Sequence, residues 1–168
     1  GSSVTGTEAV FYLMAAAAVG GGLGVVLLRN VVYAALSLIL TLLAVAAFYI
    51  LLATEFLALV QILIYAGAVA VLLLFALMLT RARDAPTVLD GPQKPFAALA
   101  GLALFGVLAA AVAGTTWPRD AGQITRVPFD TLGDALFRKW AVPFEVASLV
   151  LLVALVGAIV LARPEEGE

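Results

Sequence analysis

Gln61 and Tyr65 lie inside an apolar run, Phe56 to Thr80, that contains no charged residue. At i, i+4 spacing their amide and phenol share one helical face, which Ala68 and Leu72 extend. Counted from Glu55, Gln61 lies about 9 Å and Tyr65 about 15 Å along a helix. That depth puts Tyr65 near the centre of a bilayer. An unpaired polar group in hydrocarbon costs roughly 2–7 kcal/mol, so the face Gln61, Tyr65, Ala68 has to meet protein or water. Two readings stand at this point. One is an interhelical hydrogen bond in a tight packing seam. The other is a conformational hinge beside a water path. The small residues Ala66, Gly67, Ala68 and Ala70 suit either, and composition does not decide between them.

The acids come next, because a charge held within a membrane is costly and therefore functional by default. Only Glu55 and Glu145 are placed to qualify, and both stand at the start of apolar runs. Pro143 suits the first position of a helix, with Glu145 in its first turn. Both acids therefore read as rim residues that complement a helix dipole, with a deep proton site as the sharper alternative. Nothing ionisable except Tyr65 lies between Glu55 and Arg81, so a complete proton wire is absent from the chain.

Whole classes of chemistry are missing. There is no Cys and no His, which removes thiolate and imidazole ligands, disulfides and cysteine-held iron–sulfur clusters. The glycines at Gly20, Gly21, Gly22 and Gly24 follow no strand and cannot form a phosphate loop. The expectation is no catalytic residue, no metal ligand and no cofactor-binding residue in this chain. A net charge of −2 with 12% charged residues offers no basic patch for nucleic acid.

The elements that position these groups follow from composition. The 168 residues are 64% hydrophobic, more than one small water-soluble core can hide. Five runs have the length and apolarity to span a bilayer: 9–28, 31–54, 56–80, 96–114 and 142–162. They are apolar all round rather than alternating, which excludes a lipid-facing barrel. The expected fold is therefore an all-α integral membrane protein, one membrane domain over 1–168 with five transmembrane helices. Arg29-Asn30 and Thr54-Glu55 are links short enough to make the first three helices antiparallel neighbours. Pro86, Asp90-Gly91-Pro92 and Pro95 mark a turn-rich loop after Thr80. Arg29, Arg81, Arg83, Lys94 and Arg163 fall on one side, and Arg119, Arg126, Arg138 and Lys139 on the other. That bias favours the N-terminus outside and the C-terminus in the cytoplasm. The first residues, GSSVTGTEAV, do not read as a signal peptide.

Loop 115–141 has content of its own. Trp117 and Trp140 mark its ends at interfacial positions. Asp130 is expected to cap a short interfacial helix in which Asp134 and Arg138 pair at i, i+4. Leu136, Phe137 and Trp140 would then meet the lipid boundary. In the first span, Gly20 and Gly24 have the spacing that lets another helix approach closely.

The stretch Glu55-Phe-Leu-Ala-Leu-Val-Gln61-Ile-Leu-Ile-Tyr65-Ala-Gly67-Ala-Val-Ala-Val-Leu-Leu-Leu-Phe75 resembles subunit J of bacterial NADH:quinone oxidoreductase. That enzyme is respiratory complex I, and the mitochondrial counterpart of the subunit is subunit 6. Arg29-Asn30-Val31-Val32-Tyr33-Ala34-Ala35-Leu36-Ser37 is similar to the family's first hairpin. Pro143-Phe144-Glu145-Val146-Ala147-Ser148 and Val156 to Arg163 are similar to its last helix. The fourth helix and both long loops match only in kind.

The resemblance implies a non-catalytic subunit of a proton-pumping translocase in the electron-transport chain. The multi-pass chain would sit in a bacterial cell (inner) membrane. FMN, iron–sulfur clusters, NADH and a quinone would belong to the complex, none bound by this chain. Its partners would be the small helical subunits, the quinone-site subunit and lipid. The family's third helix can hold a π-bulge proposed to gate a water path, which falls here on Tyr65, Ala66, Gly67 and Ala68. Related complexes take electrons from ferredoxin, so the donor stays open. A small cation/proton antiporter subunit and a passive scaffold are the other readings. An antiporter acting alone should show internal repeats, broken helices or midplane charges, none of which is evident.

Overall fold

The computed structural model describes residues 6–80, 94–116 and 125–163, and no strand occurs among them. The helices are α1 (Gly6–Leu27), α2 (Val31–Leu51), α3 (Glu55–Leu79), α4 (Lys94–Gly114), α5 (Phe129–Asp134) and α6 (Ala141–Ala162). All but α5 are long and apolar enough to cross a membrane, which gives the five expected spans. The chain divides between Thr125 and Arg126 into two compact units. Trp117, Arg119, the turn-rich loop from Arg81 and the last residues, Pro164 to Glu168, lie outside the described residues.

Two tight links fold the first three helices back on one another. Asn30 caps α2: its side-chain oxygen accepts from the Val32 N–H at 3.0 Å, satisfying one orphan donor of the first turn. At the other end α2 stops at Leu51, short of the apolar run. The Thr54 N–H donates to the Tyr49 carbonyl at 3.0 Å, and the Ala53 N–H to that of Ile50 at 2.9 Å. This pair is the Schellman pattern, which requires a left-handed residue at Ala53, and its φ is 56°. Thr54 adds a side-chain bond from Oγ1 to the same Tyr49 carbonyl at 2.8 Å.

α2 is a two-sided helix between α1 and α3. Ser37, Thr41, Ala44 and Phe48 share one side by helical periodicity, and Ala35, Leu42 and Ala46 share the opposite one. The first side meets α1. A Cβ at Gly21 would press on the Thr41 hydroxyl and lie 3.0 Å from the Ser37 carbonyl oxygen. One at Gly24 would lie 2.7 Å from the Ser37 Oγ. Phe11 and Phe48 finish this seam with rings edge-on at 5.5 Å. Close approach thus uses Gly21 and Gly24. Gly20 has nothing within 4 Å of an added Cβ. A spacing of four pairs Gly20 with Gly24, but the contact face follows the spacing of three, which keeps both Gly21 and Gly24 toward α2.

The buried side chains are almost all alanine: Ala35, Ala44, Ala46, Ala58, Ala66 and Ala70, with Gln61 as the sole buried polar residue among those described. By contrast, α4 and α6 bury nothing within the chain.

In the second unit, α5 begins after Pro128, not at a cap on Asp130. The extended Pro128 backbone starts the helix, so Asp130 falls in the first turn. There its Oδ1 accepts from the adjacent Thr131 N–H at 2.7 Å. Arg138 and Asp134 pair as expected, Nε to Oδ1 at 3.2 Å, on an exposed face. Between α5 and α6 the chain forms a π-helical turn, Ala135–Lys139, closed by the Trp140 N–H donating to the Ala135 carbonyl at 2.8 Å. α6 starts at Ala141, so Pro143 is its third residue and Glu145 lies beyond the first turn. Pro143 has no N–H for the Lys139 carbonyl and crowds it, so the helix breaks at Trp140 (φ −119°, ψ 30°). Phe137 and Phe144 bridge the break with rings 5.1 Å apart.

Candidate functional site: a π-helical segment in the third span

α3 is regular from Glu55 to Val60 and again from Ala70 to Leu79. Between them, Gln61–Val69 is π-helical. The Ala70 N–H reaches back five residues to the Tyr65 carbonyl rather than four. All of Tyr65, Ala66, Gly67 and Ala68 fall in this segment.

The wider turn changes which side chains share a face. In a regular helix Gln61 would stack over Tyr65, then Ala68 and Leu72. Here the buried residues are Ala58, Gln61, Ala66 and Ala70. The step from Gln61 to Ala66 is five residues, the signature of one extra residue in the turn. Tyr65 is thereby swung out of the seam, 51% exposed, and Leu72 is 67% exposed. The expected common face of Gln61, Tyr65, Ala68 and Leu72 is therefore split. Gln61 meets protein, and the others face outward from this chain. The cause is the backbone: side-chain periodicity was counted at 3.6 residues per turn, which the π segment does not obey.

Gln61 is 8% exposed, and its Nε2 donates to the Leu42 carbonyl of α2 at 3.4 Å. The Tyr65 hydroxyl makes no hydrogen bond among the described residues. At Gly67 a Cβ would sit 3.1 Å from the Ile62 carbonyl oxygen, five residues back across the π turn. A side chain there has to push that carbonyl by a few tenths of an ångström.

Glu55 and Glu145 are both exposed. Glu55 is the first residue of α3. Glu145 lies on α6, where its backbone carbonyl accepts from the Ser148 hydroxyl at 2.7 Å. Among the described residues no three His, Cys, Asp or Glu side chains cluster to hold a metal.

Residue types marked Ala66 and Ala70 only as part of a small-residue block, and did not point to the Leu42 carbonyl. Their only sequence signal is the density of small residues after Gln61, which lets two backbones approach.

Residues 21–161 match the family profile described as NADH-ubiquinone/plastoquinone oxidoreductase chain 6. The chain belongs to this family. It is 43% identical over 157 residues to NAD(P)H-quinone oxidoreductase chain 6 of Leptolyngbya boryana, covering 92% of this chain and 79% of that one. It is 44% identical over 149 residues to the chloroplastic NAD(P)H-quinone oxidoreductase subunit 6 of Nephroselmis olivacea, covering 88% of each. It is also 38% identical over 165 residues to F(420)H(2) dehydrogenase subunit J of Methanosarcina mazei, covering 94% of this chain and 91% of that one. As a chain 6 homologue it is a membrane subunit of a complex I-type quinone oxidoreductase, and the π segment lies within the matched region.

Proposed function

We propose that this chain 6 homologue helps couple quinone reduction to proton translocation through a change of α3 between π-helical and regular geometry. The observation that carries the reading is the placement of Tyr65. The π turn holds it out of the seam, and a regular helix would return it beneath Gln61. Removing one residue's worth of offset rotates one half of α3 against the other by about 100°. A phenol moved by that much makes or breaks a hydrogen-bonded path. The seam against α2 is lined with alanine methyls, which offer no large knob to lift during such a turn.

In this reading the chain binds no cofactor and carries no catalytic residue. FMN, iron–sulfur clusters and the quinone pocket belong to other subunits. Glu55 and Glu145 act as rim acids. The outward faces of α4 and α6 are covered by lipid and neighbouring membrane subunits, with α5 at the membrane boundary. The N-terminus lies outside and the C-terminus in the cytoplasm of a bacterial cell membrane. NADH is the donor in this reading, with ferredoxin or another reductant as the alternative. Relatives named for NAD(P)H and for F(420)H(2) match 92% and 94% of this chain, which fits a subunit whose work does not depend on the donor.

The test is Gly67→Val in the assembled complex, with NADH:quinone activity and proton pumping measured in liposomes. Crowding of the Ile62 carbonyl should bias the π turn and depress pumping severalfold. Wild-type rates in a fully assembled variant would remove the gating role and leave a scaffold.

A further inference from the structure

If α3 loses its π turn, two motions satisfy the geometry. The downstream half can turn, taking Ala66 and Ala70 out of the seam and bringing in Tyr65, Ala68 and Leu72. Alternatively the upstream half can turn, taking out Ala58 and Gln61 and bringing in Leu59 and Ile62. Backbone geometry alone does not choose between them, because both remove the same offset.

The side chains do choose. Every buried residue of α3 is an alanine except Gln61. An alanine methyl leaving the seam gives up contact area and no hydrogen bond. Gln61 leaving it gives up the bond from Nε2 to the Leu42 carbonyl and carries a bare amide into hydrocarbon. Ala58, one turn before Gln61, is buried on the same side and moves with it. From this asymmetry we infer that Gln61 is a latch. It pins the upstream half of α3 to α2, so that any π-to-α change is expressed downstream, from Tyr65 toward Leu79. Gln61 is thus a positioning residue, and its role rests on the switch proposed above.

A latch and a mere packing residue differ in what their loss does. Without the latch either half turns, so quinone reduction continues while its coupling to protons is diluted. Loss of a packing residue lowers the amount of assembled complex and leaves each assembled complex normal. The test uses the full complex in liposomes with Gln61→Leu and Gln61→Met, which keep the bulk and remove the donor. Quinone reduction per complex should stay within twofold of wild type, while protons moved per electron fall twofold or more. Cryo-electron microscopy of the same preparation should find residue 61 turned away from α2 in a fraction of particles.

Wild-type protons per electron in both variants, with residue 61 still in the seam, overturns the latch. If Gly67→Val impairs pumping in the same assay, the latch alone has failed. If Gly67→Val is also without effect, the switch itself has failed. Gln61→Asn covers the case in which the apolar variants do not assemble. One methylene shorter, it cannot span a bond already 3.4 Å long, so normal coupling with Asn overturns the latch. Failure of all three to assemble makes Gln61 structural and overturns it as well.

Discussion

Gly20 and Gly21 are adjacent, both lie within α1, and they should respond oppositely to the same methyl group. At Gly21 an added Cβ meets the Thr41 hydroxyl, the Ser37 carbonyl oxygen at 3.0 Å and the Thr41 nitrogen at 3.1 Å. Carbon sits comfortably at about 3.5 Å from such atoms. The two backbone contacts cannot rotate away, so α1 and α2 have to part by roughly 0.5 Å. The Thr41 hydroxyl is also pushed off its bond to the Ser37 carbonyl, 3.1 Å long. Overpacking of this kind costs about 1–3 kcal/mol, and the lost bond about 0.5–1.5 kcal/mol. The better helix propensity of alanine returns up to about 1 kcal/mol. The net for Gly21→Ala is a loss of about 1–3 kcal/mol, or 5- to 150-fold in the opening equilibrium. Gly20→Ala meets nothing within 4 Å and should gain up to about 1 kcal/mol. The chain has no native cysteine, so a single Ala44→Cys reports on the seam. Ala44 is 4% exposed and lies on the α2 side that faces α1. In the chain purified in detergent, its reaction with a thiol reagent is followed against temperature. Gly21→Ala should lower the midpoint by several degrees and Gly20→Ala should hold or raise it. Equal midpoints for the two variants would refute the packing argument.

Two further substitutions test the links. Ala53 holds a left-handed φ of 56° that costs alanine energy and costs glycine none, so Ala53→Gly should stabilise the fold by about 0.5–1 kcal/mol and raise the same thiol-reactivity midpoint; a lower midpoint would contradict the strain. Pro143→Ala restores a donor for the Lys139 carbonyl and removes the ring that breaks the helix at Trp140. The new amide at position 143 should then exchange at least tenfold more slowly in micelles than an unprotected amide, whereas unprotected exchange there would show that Pro143 is not the cause of the break.

The five spans were legible because a long uncharged run leaves lipid as its solvent and a helix as its only self-satisfied backbone. The close approach of α1 to α2 was legible in outline from the glycine cluster. Its face was not, since a spacing of four selected Gly20 where the contact uses Gly21. Residue types drew attention to this segment, because a glutamine and a tyrosine in hydrocarbon demand partners. The geometry between them could not be read from residue types. A π turn differs from an α turn by one hydrogen-bond register, and the side chains of Gln61 to Val69 fit both. The cap on α5 was misplaced for a related reason. Asp130 is a good capping residue, but Pro128, two positions earlier, already supplies the extended backbone at which the helix starts.

The alanine-lined interior has a consequence for how such a subunit evolves. Among the described residues six alanines and one glutamine are the only buried side chains, so these residues hold few large internal contacts whose loss one substitution could repair in another part of the same sequence. Compensation has to come from surrounding polypeptides. Substitutions on α4 and α6 should therefore find their suppressors in other genes, and a chain moved into a distant relative's complex should need its neighbours moved with it.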